Sequence, residues 1–355
     1  MNIARVTVAA VICGLLAGCG TTTTSQVTAG KKIAFLVPDG SARFESQDWP
    51  MFQAKVQSVC AGCALMYRNA GGDPATQMQQ AQAALTAGAA VIVLDPVDAT
   101  GAAAIVSAAA RRHVPVIAYD HLVLNSASIA YFVSFDDAKV GALQGAALLQ
   151  AMHSSSTPSV VMMNGDPDDH EAAQLKKAAH ATLDGKVTVA KEYDTPAASA
   201  QNAQLEMAQA LSALQNKLDG VYAATDNVAG GAVAAMKAAG LKVLPPVTGG
   251  DADLAAVQRI IAGDQYMTVY RPVKQEAEGA AVIAYDLAFG VPVTQATTGG
   301  VTVDNGARQV PAVLVEPLAV TRKDLVTTVL ADGFWTRAQL CTAAYASACK
   351  TAGLS

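Results

Sequence analysis

Short apolar runs alternate along the chain with longer alanine-rich stretches of helical period. In the first half, the apolar runs predict four strands, at 32–38, 63–69, 90–96 and 115–120. The stretches 73–88 and 98–113, which lie between these runs, predict helices. Because the predicted strands carry apolar residues on both faces, they are typical of a parallel sheet with helices on both sides.

The same alternation begins again after residue 140. Three further strands are predicted, at 158–165, 186–193 and 219–225. Helices are predicted between and after them, at 172–183, 199–214 and 228–240. The 355-residue chain is long enough for two domains of about 100–200 residues each. The pattern therefore predicts an α/β protein with two doubly wound, Rossmann-like units in tandem.

The amino terminus has the pattern of an export signal. Arg5 precedes an apolar run from Val6 to Ala17, which is too short to span a membrane as a mature helix. The following LLAGC resembles a bacterial lipobox, which predicts cleavage before Cys19 and lipid on its thiol. The alternative is an ordinary signal peptide with a chance cysteine. Residues 1–18 are thus predicted as signal peptide and 19–30 as a flexible, lipid-anchored linker.

Four cysteines lie beyond this leader, in the sequence pairs Cys60 with Cys63 and Cys341 with Cys349. An even number of cysteines in an exported protein favours disulfides. Two local bonds, 60–63 and 341–349, are predicted, and cross-pairing is the alternative. The CAGC stretch lacks the second metal pair of a zinc site and the surroundings of a thioredoxin motif.

Charge excludes one class of partner. Charged residues make up 15% of the chain, the net charge is −5, and no basic run is present. These values argue against nucleic-acid binding.

Acidic residues follow many of the predicted strands. In open parallel sheets, ligands bind beyond the carboxyl ends of the strands. An aspartate at such a place is more commonly a helix cap when it is taken alone. As a set, these aspartates predict a cleft between the two units. The set is Asp39, Asp95, Asp120 (followed by His121), Asp166, Asp226 and Asp251.

Three stretches carry a family resemblance. YDHLVLNSASIAYFVSFDDAKVG (119–141), ATDNVAGGAVAAM (224–236) and GGDADLAAVQRIIAGDQYMTVYRP (249–272) resemble the D-xylose-binding proteins of bacterial ABC importers. Those are periplasmic sugar-binding proteins of the ribose-binding type, and the resemblance runs from about residue 32 to residue 335. It implies the type 1 periplasmic binding protein fold, with two lobes joined by a three-strand hinge that crosses near 139, 271 and 303.

The resemblance also implies how the chain divides between the lobes. The N-terminal lobe would contain 31–139 and 272–303, including a helix at 273–290. The C-terminal lobe would contain 140–271 and 304–335. Residues 336–355 would form a disulfide-containing tail.

Several residues match the family's sugar site. Asp120, Asp226 and Asp251 stand where the family has acids, which implies that they accept hydrogen bonds from sugar hydroxyls. Such charge-assisted bonds are strong. Arg271 stands where the family carries a lysine. Arg43 resembles the arginine of the first loop, and Phe44 after it resembles the aromatic that stacks on the sugar, although the loop spacing differs.

Other positions depart from the family. His121 replaces an arginine, Glu171 and Thr225 replace asparagines, and Gly250 replaces a glutamine. His121, Glu171 and Thr225 are still expected at the ligand site, because they occupy the family's binding positions. The stacking tryptophan is missing near Ala198. Because these changes alter both donors and stacking surface, the ligand need not be xylose.

Taken together, the resemblance implies a lipid-anchored, extracytoplasmic substrate-binding protein of an ABC importer, in the periplasm or at the cell surface. It would close on a xylose-like monosaccharide or related polyol and present it to the membrane permease, as a monomer without cofactor or metal. One alternative is a receptor for a modified sugar, a nucleoside or a signalling furanose. Another is a sensory subunit without transport.

Enzymatic and metal functions have less support. Asp120 and His121 are not accompanied by a GxSxG nucleophile, which argues against catalysis. His170 lies among Asp168, Asp169 and Glu171, a cluster that is more typical of a solvated helix N-terminus than of a metal site.

Overall fold

The structure is a computed structural model that describes residues 30–40, 43–152, 157–294 and 299–354. The predicted signal peptide, Cys19 and nearly all of the linker lie outside the described residues. Among the described residues, no helix is both long enough and apolar enough to cross a membrane.

A seven-stranded sheet forms the first unit. Its spatial order is β10-β11-β5-β4-β3-β1-β2, and all neighbours are parallel except β10 and β11. The strands are β1 (Lys32–Val37), β2 (Ala64–Asn69), β3 (Ala89–Leu94), β4 (Val116–Tyr119), β5 (Ile129–Phe135), β10 (Val301–Asp304) and β11 (Gln309–Val315).

Helices cover both faces of this sheet, as the apolar strands require. One core lies under α1 and α9, and a second lies under α2 and α3. The helices are α1 (Trp49–Val59), which follows a π-helical turn (Phe44–Asp48), then α2 (Pro74–Thr86), α3 (Ala103–Ala110) and α9 (Val273–Phe289). The prediction of an α/β fold with a helix-covered parallel sheet is therefore confirmed.

The second unit has a smaller sheet. Its three parallel strands are ordered β7-β6-β8 and comprise β6 (Ser159–Asn164), β7 (Thr188–Asp194) and β8 (Gly220–Ala223). Single bridges at 247 and 250 continue it to β9 (Met267–Tyr270), which pairs antiparallel with β12 (Leu318–Thr321).

Five helices enclose this second sheet. One core contains residues of α4 and α5, and another contains residues of α6 and α7. The helices are α4 (Asp137–Ala151), α5 (His170–Leu183), α6 (Ala200–Ala213), α7 (Asp226–Ala238) and α8 (Leu254–Ala262).

The chain passes between the two sheets three times, at 136, at 271–272 and at 316–317. The assignment of 304–335 to the C-terminal lobe, with a crossing near 303, was wrong for the first part of that range. Strand β11 pairs in parallel with β5 of the first sheet, from Ala312 opposite Phe132 to Val315 opposite Phe135. This pairing covers an edge of β5 that would otherwise be open.

Both predicted disulfides are present, Cys60–Cys63 and Cys341–Cys349. The first closes the turn between α1 and β2. The second joins two short helices of the tail, α10 (Arg337–Leu340) and α11 (Ala346–Thr351). The tail packs on the second unit, where the Gln258 side chain donates a 3.0 Å hydrogen bond to the Gln339 carbonyl.

Two helical glycines differ in their surroundings and provide a test of packing. A Cβ on Gly231 would lie 2.2 Å from the Ala200 carbonyl oxygen and 2.8 Å from the Ala203 Cβ, because α6 and α7 touch there. A Cβ on Gly279 of α9 would meet nothing within 4 Å. Close contact between α6 and α7 explains the glycine at position 231.

We expect Gly231→Ala to lower the free energy of unfolding by about 1–3 kcal/mol, since the added methyl forces α6 and α7 apart. The matched Gly279→Ala should raise it by about 1 kcal/mol through helix propensity alone. Urea denaturation followed by circular dichroism measures both changes. Equal effects of the two substitutions would contradict the packing.

Candidate functional site

A cavity of about 1020 Å³ lies between the two units. Loops that follow β1, β3 and β4 of the first unit line it, together with loops that follow β6 and β7 of the second. Residues 135–138, at the junction of β5 and α4, form the wall where the chain crosses. The cavity thus lies at the carboxyl ends of both sheets, as expected for a ligand site in open α/β structures.

Asp120 is held in a defined position on the cavity wall. Its φ of 58° is left-handed, and a non-glycine residue in that region costs about 1–3 kcal/mol unless the surroundings hold it there. Here the Asp120 N–H donates to the Val133 carbonyl at 2.9 Å, and the Ser134 hydroxyl donates to the Asp120 carbonyl at 2.6 Å. Asp120 is only 4% exposed, so its carboxylate has a defined position.

Arg43 forms ion pairs with three carboxylates of the first unit. Its guanidinium lies 2.9 Å from Asp120 Oδ2, 2.9 Å from Glu276 Oε2 and 3.2 Å from Asp48 Oδ1. The Tyr119 hydroxyl donates a further 2.5 Å hydrogen bond to Asp48. Burial raises the pKa of Asp48 and that of Glu276, although Arg43 opposes both shifts.

The same arginine has a different effect on the carboxyl group of Asp120. Burial alone would raise the pKa of Asp120, but Arg43 and His121 outweigh that effect and hold the pKa below its ordinary value. Asp120 is therefore a carboxylate at neutral pH. An ionised, buried carboxylate is a strong hydrogen-bond acceptor for a ligand that enters the cavity.

His121 connects the two units. Its Nδ1 lies 2.9 Å from Asp95 Oδ1 and 3.6 Å from Asp120 Oδ2, and its Nε2 lies 3.7 Å from Glu171 Oε2 across the cavity. Burial acts to lower the pKa of His121, but Asp95 and the other two acids raise it well above its ordinary value. His121 is thus an imidazolium. Although it belongs to an ionic network, 39% of its side chain remains exposed.

Arg271 is the cation that pairs with the acids of the second wall, as Arg43 does in the first. It donates to Glu171 and lies 3.5 Å from Asp251 Oδ1 and 4.0 Å from Asp137 Oδ1. Arg271 is itself buried. Glu171 therefore lies between the cations His121 of the first unit and Arg271 of the second crossing.

Phe135 is a site residue that the sequence reasoning missed. It ends β5 at the first crossing, lines the cavity and is buried. The guanidinium carbons of Arg43 and Arg271 lie 6.0 Å and 5.6 Å from its ring centroid. Both distances are within the range of cation–π contacts. The sequence feature that could have indicated this residue is an aromatic side chain at a strand end. It comes three residues after Phe132, the other phenylalanine of the wall.

Phe44 does not line the cavity as the stacking aromatic of the first loop should. It is buried in the core of the first unit, with the Arg43 guanidinium carbon 5.7 Å from its ring centroid. The aromatic side chains that do line the cavity are Phe132 and Phe135. The approximate match of the first loop predicted both residues at the site. Arg43 lies in the ion network there, but Phe44 does not lie on the cavity wall.

Two more residues implied by the resemblance lie away from the cavity. Asp226 is 1% exposed, and its carboxylate accepts hydrogen bonds from Gln265 at 2.8 Å, from Thr268 at 2.9 Å and from the Asp253 N–H at 2.9 Å. Thr225 caps α7 by accepting a hydrogen bond from the Val228 N–H at 3.3 Å. The side-chain oxygens of both residues therefore accept hydrogen bonds from groups of the second unit.

The remaining implied residues meet around the cavity. Asp120, His121 and Glu171 line it directly. Arg43 and Arg271 hold the carboxylates of Asp120 and Glu171 from behind, and Asp251 contacts Arg271. Asp95, which the sequence placed among the acids of the cleft, contacts His121. Four further buried or partly buried partners were not predicted as site residues. They are Asp48, Phe135, Asp137 and Glu276.

Asp95, Asp120 and His121 also bring ligand-type atoms within 4.8 Å of one another, a spacing that could hold a metal ion. The ion pairs already explain this spacing, because His121 is protonated and binds Asp95 through Nδ1. The acidic cluster around His170 begins α5, where Asp169 accepts a hydrogen bond from the Glu171 N–H at 2.9 Å. That cluster is the helix N-terminus that the sequence predicts.

Comparison with known proteins identifies the family. Residues 33–291 match the family described as periplasmic binding protein domain. The chain is 33% identical over 314 residues to the D-xylose-binding periplasmic protein of Escherichia coli, covering 87% of this chain and 92% of that protein. It is 32% identical over 311 residues to the protein of the same description from Haemophilus influenzae, covering 86% and 91%.

A solved structure shows the same fold. A solute-binding protein of an ABC transporter from Clostridium phytofermentans, with bound β-D-glucose, superposes with a TM-score of 0.74. It is 24% identical and covers 87% of this chain and 100% of that one. The chain therefore belongs to the periplasmic binding protein family, with its type 1 fold. Within that family it is a relative of the D-xylose-binding periplasmic proteins, and it is a binding protein rather than an enzyme.

The charged network predicts how stability depends on pH. Burial raises the pKa of Asp95 to about 7 and that of Asp137 to about 8, from an ordinary value of 3.8. The folded protein therefore binds more protons than the unfolded chain between about pH 4 and pH 8. The raised pKa of His121 acts in the same direction above about pH 6.5.

We expect the Tm of the ligand-free protein to fall as the pH is raised from 5 to 8, because the buried carboxyls must then ionise. Scanning calorimetry at constant ionic strength measures this trend. Asp137→Asn, which stays neutral, should flatten it. A Tm that rises over the same range would show that these carboxyls are not held as the structure indicates.

Proposed function

We propose that the chain is the extracytoplasmic substrate-binding protein of an ABC importer, and that it binds a monosaccharide or related polyol in the cavity between its two units. The observation that carries this proposal is Asp120, an ionised and backbone-locked carboxylate on the cavity wall. Its Oδ1 has no hydrogen-bond partner among the described residues. The D-xylose-binding relatives and the glucose-bound structural neighbour support the ligand class.

The wall provides what a polyhydroxylated ring needs. Asp120 and Glu171 accept hydrogen bonds from hydroxyl groups, and the His121 imidazolium donates one. Phe132 and Phe135 offer apolar surface for the C–H face of a ring. Because the cavity lies between the units, closure removes the ligand from water, and each polar group then needs a partner.

Transport requires that ligand binding changes the arrangement of the two units. A ligand that touches both walls favours the closed state by the difference between its affinities for the closed and open states. Residues 136, 271–272 and 316–317 are the three segments about which the units would rotate. Lys139 pairs with Glu316 at 2.6 Å and so links the first and third of them. The closed form would then dock on the membrane permease as a monomer.

The ligand proposal predicts a selective thermal shift. A compound that binds only the folded state raises the melting temperature. We expect sugars or polyols in a panel of pentoses, hexoses, inositols, nucleosides and amino acids to raise the Tm. A panel in which only nucleosides or amino acids shift the Tm would contradict the carbohydrate assignment.

For the best ligand of this panel, Asp120→Asn should weaken binding about 10- to 100-fold, because it removes a charged acceptor. Asp73→Asn is the matched control. Asp73 is exposed and caps α2, a role that asparagine fulfils equally well. Isothermal titration calorimetry gives both dissociation constants, and unchanged affinity in Asp120→Asn would remove Asp120 from the site.

The membrane anchor is a separate proposal that rests on the lipobox at Cys19. In a bacterial host, the exported wild-type chain should be found in the detergent-soluble membrane fraction. Cys19→Ala should release it into the soluble extracytoplasmic fraction, since the thiol that receives lipid is gone. Recovery of the wild-type chain in the soluble fraction would contradict lipid anchoring and favour an ordinary signal peptide.

A further inference from the structure

The ionic network of the site is unbalanced in charge. Three cationic side chains, Arg43, His121 and Arg271, each contact several acids. Seven carboxylates lie within 4.0 Å of one of these cations. They are Asp48, Asp95, Asp120, Asp137, Glu171, Asp251 and Glu276. With every group ionised, seven negative charges oppose three positive ones, which leaves an excess of four negative charges.

This excess lies in a region that water solvates poorly. Asp48, Asp95, Asp120 and Glu276 are all buried. An unpaired buried charge is strongly unfavourable, so it must gain either a proton or a further cation. In the ligand-free protein, protons provide part of the balance, as the raised pKa values of Asp95 and Asp137 indicate.

Individual oxygen atoms show where a further cation would bind. Among the described residues, Asp120 Oδ1 and Asp137 Oδ1 are buried atoms without a hydrogen-bond partner, and both residues line the cavity. Asp95 Oδ2 is also buried and has no hydrogen-bond partner among the described residues. These carboxylates lack hydrogen-bond donors rather than acceptors.

The cavity wall as a whole is also predominantly acidic. Nine of its residues are acidic, and its remaining charged or titratable residues are His121 and His170, with no lysine or arginine among the described residues that line it. Several of the acids also accept backbone N–H groups at helix starts and turns, but they keep their negative charge there. The acidic residues are Asp98, Asp120, Asp136, Asp137, Asp166, Asp168, Asp169, Glu171 and Asp304.

We propose that the ligand is a cationic polyol, meaning a sugar or cyclitol in which a protonated amine replaces a hydroxyl group, and that Asp120 and Asp137 receive the ammonium. This inference rests on the proposed function and adds a charge to the ligand. A neutral sugar supplies hydrogen-bond donors but no positive charge, so the balance still depends on protons bound by the carboxyls. An ammonium group supplies three donors, no acceptor and a positive charge, which matches two carboxylates with unpartnered oxygens.

The test compares amino sugars with their neutral parents on the full mature chain. Isothermal titration calorimetry at neutral pH would use D-glucosamine, D-galactosamine and D-mannosamine beside D-glucose, D-galactose and D-mannose. N-acetyl-D-glucosamine, which keeps the nitrogen without its charge, is included. We expect at least one amine to bind about tenfold or more tightly than its parent and its acetylated form, as a charge-assisted bond would give.

The possible outcomes separate this inference from the proposed function. Neutral parents that bind as tightly as the amines overturn the cationic ligand and leave the carbohydrate receptor intact. Putrescine and Ca²⁺ serve as cations without a polyol. Binding of either, in the absence of any sugar binding, overturns the polyol and with it the proposed function. Failure of every sugar and amino sugar overturns both.

A substitution tests the position of the charge. Asp137→Asn should reduce the preference for the amine over its neutral parent about tenfold, because only the amine uses the charge. Asp264→Asn is the control, since Asp264 pairs with Lys237 outside the cavity. Equal losses for amine and parent in Asp137→Asn would indicate a structural effect and overturn the assignment.

Discussion

The ion pairs of Arg43 hold the first wall of the site together. This guanidinium joins the π-helical turn before α1, the end of β4 and the buried face of α9 through Asp48, Asp120 and Glu276. These elements are far apart in sequence, and none of the three acids could stay ionised in the core without a cation. The left-handed backbone at Asp120, held by Val133 and Ser134, places the carboxylate beside both Arg43 and the cavity.

At the site itself, charged groups of the two units face each other. His121 reaches from β4 toward Glu171 at the start of α5, and Arg271 holds Glu171 from the second crossing. Phe135 lies beside both arginines where the chain first passes between the sheets. A ligand in this place would contact groups that belong to different units, which is the physical requirement for binding to be coupled to closure.

The cavity also shows why membership of a family does not define a ligand. The relatives that bind D-xylose share the fold and much of the chain with this protein. Here, however, a histidine and a glutamate face each other across the cavity, and acids dominate its wall. The fold alone does not define the ligand, because ligand choice depends on the side chains of the site.

The sequence by itself determined the α/β class, the tandem repeat of units and most helices and strands, because apolar periodicity reflects local geometry. It also predicted the local disulfides, and the family resemblance pointed to Asp120, His121 and Glu171, which line the cavity. It could not place β11, whose partner strand is more than 170 residues away. Nor could it separate Asp226, which turns into the core of the second unit, from Asp120 on the wall, since both follow a strand. Tertiary structure decided these points, because the direction of a side chain and the charges around it depend on contacts between distant segments.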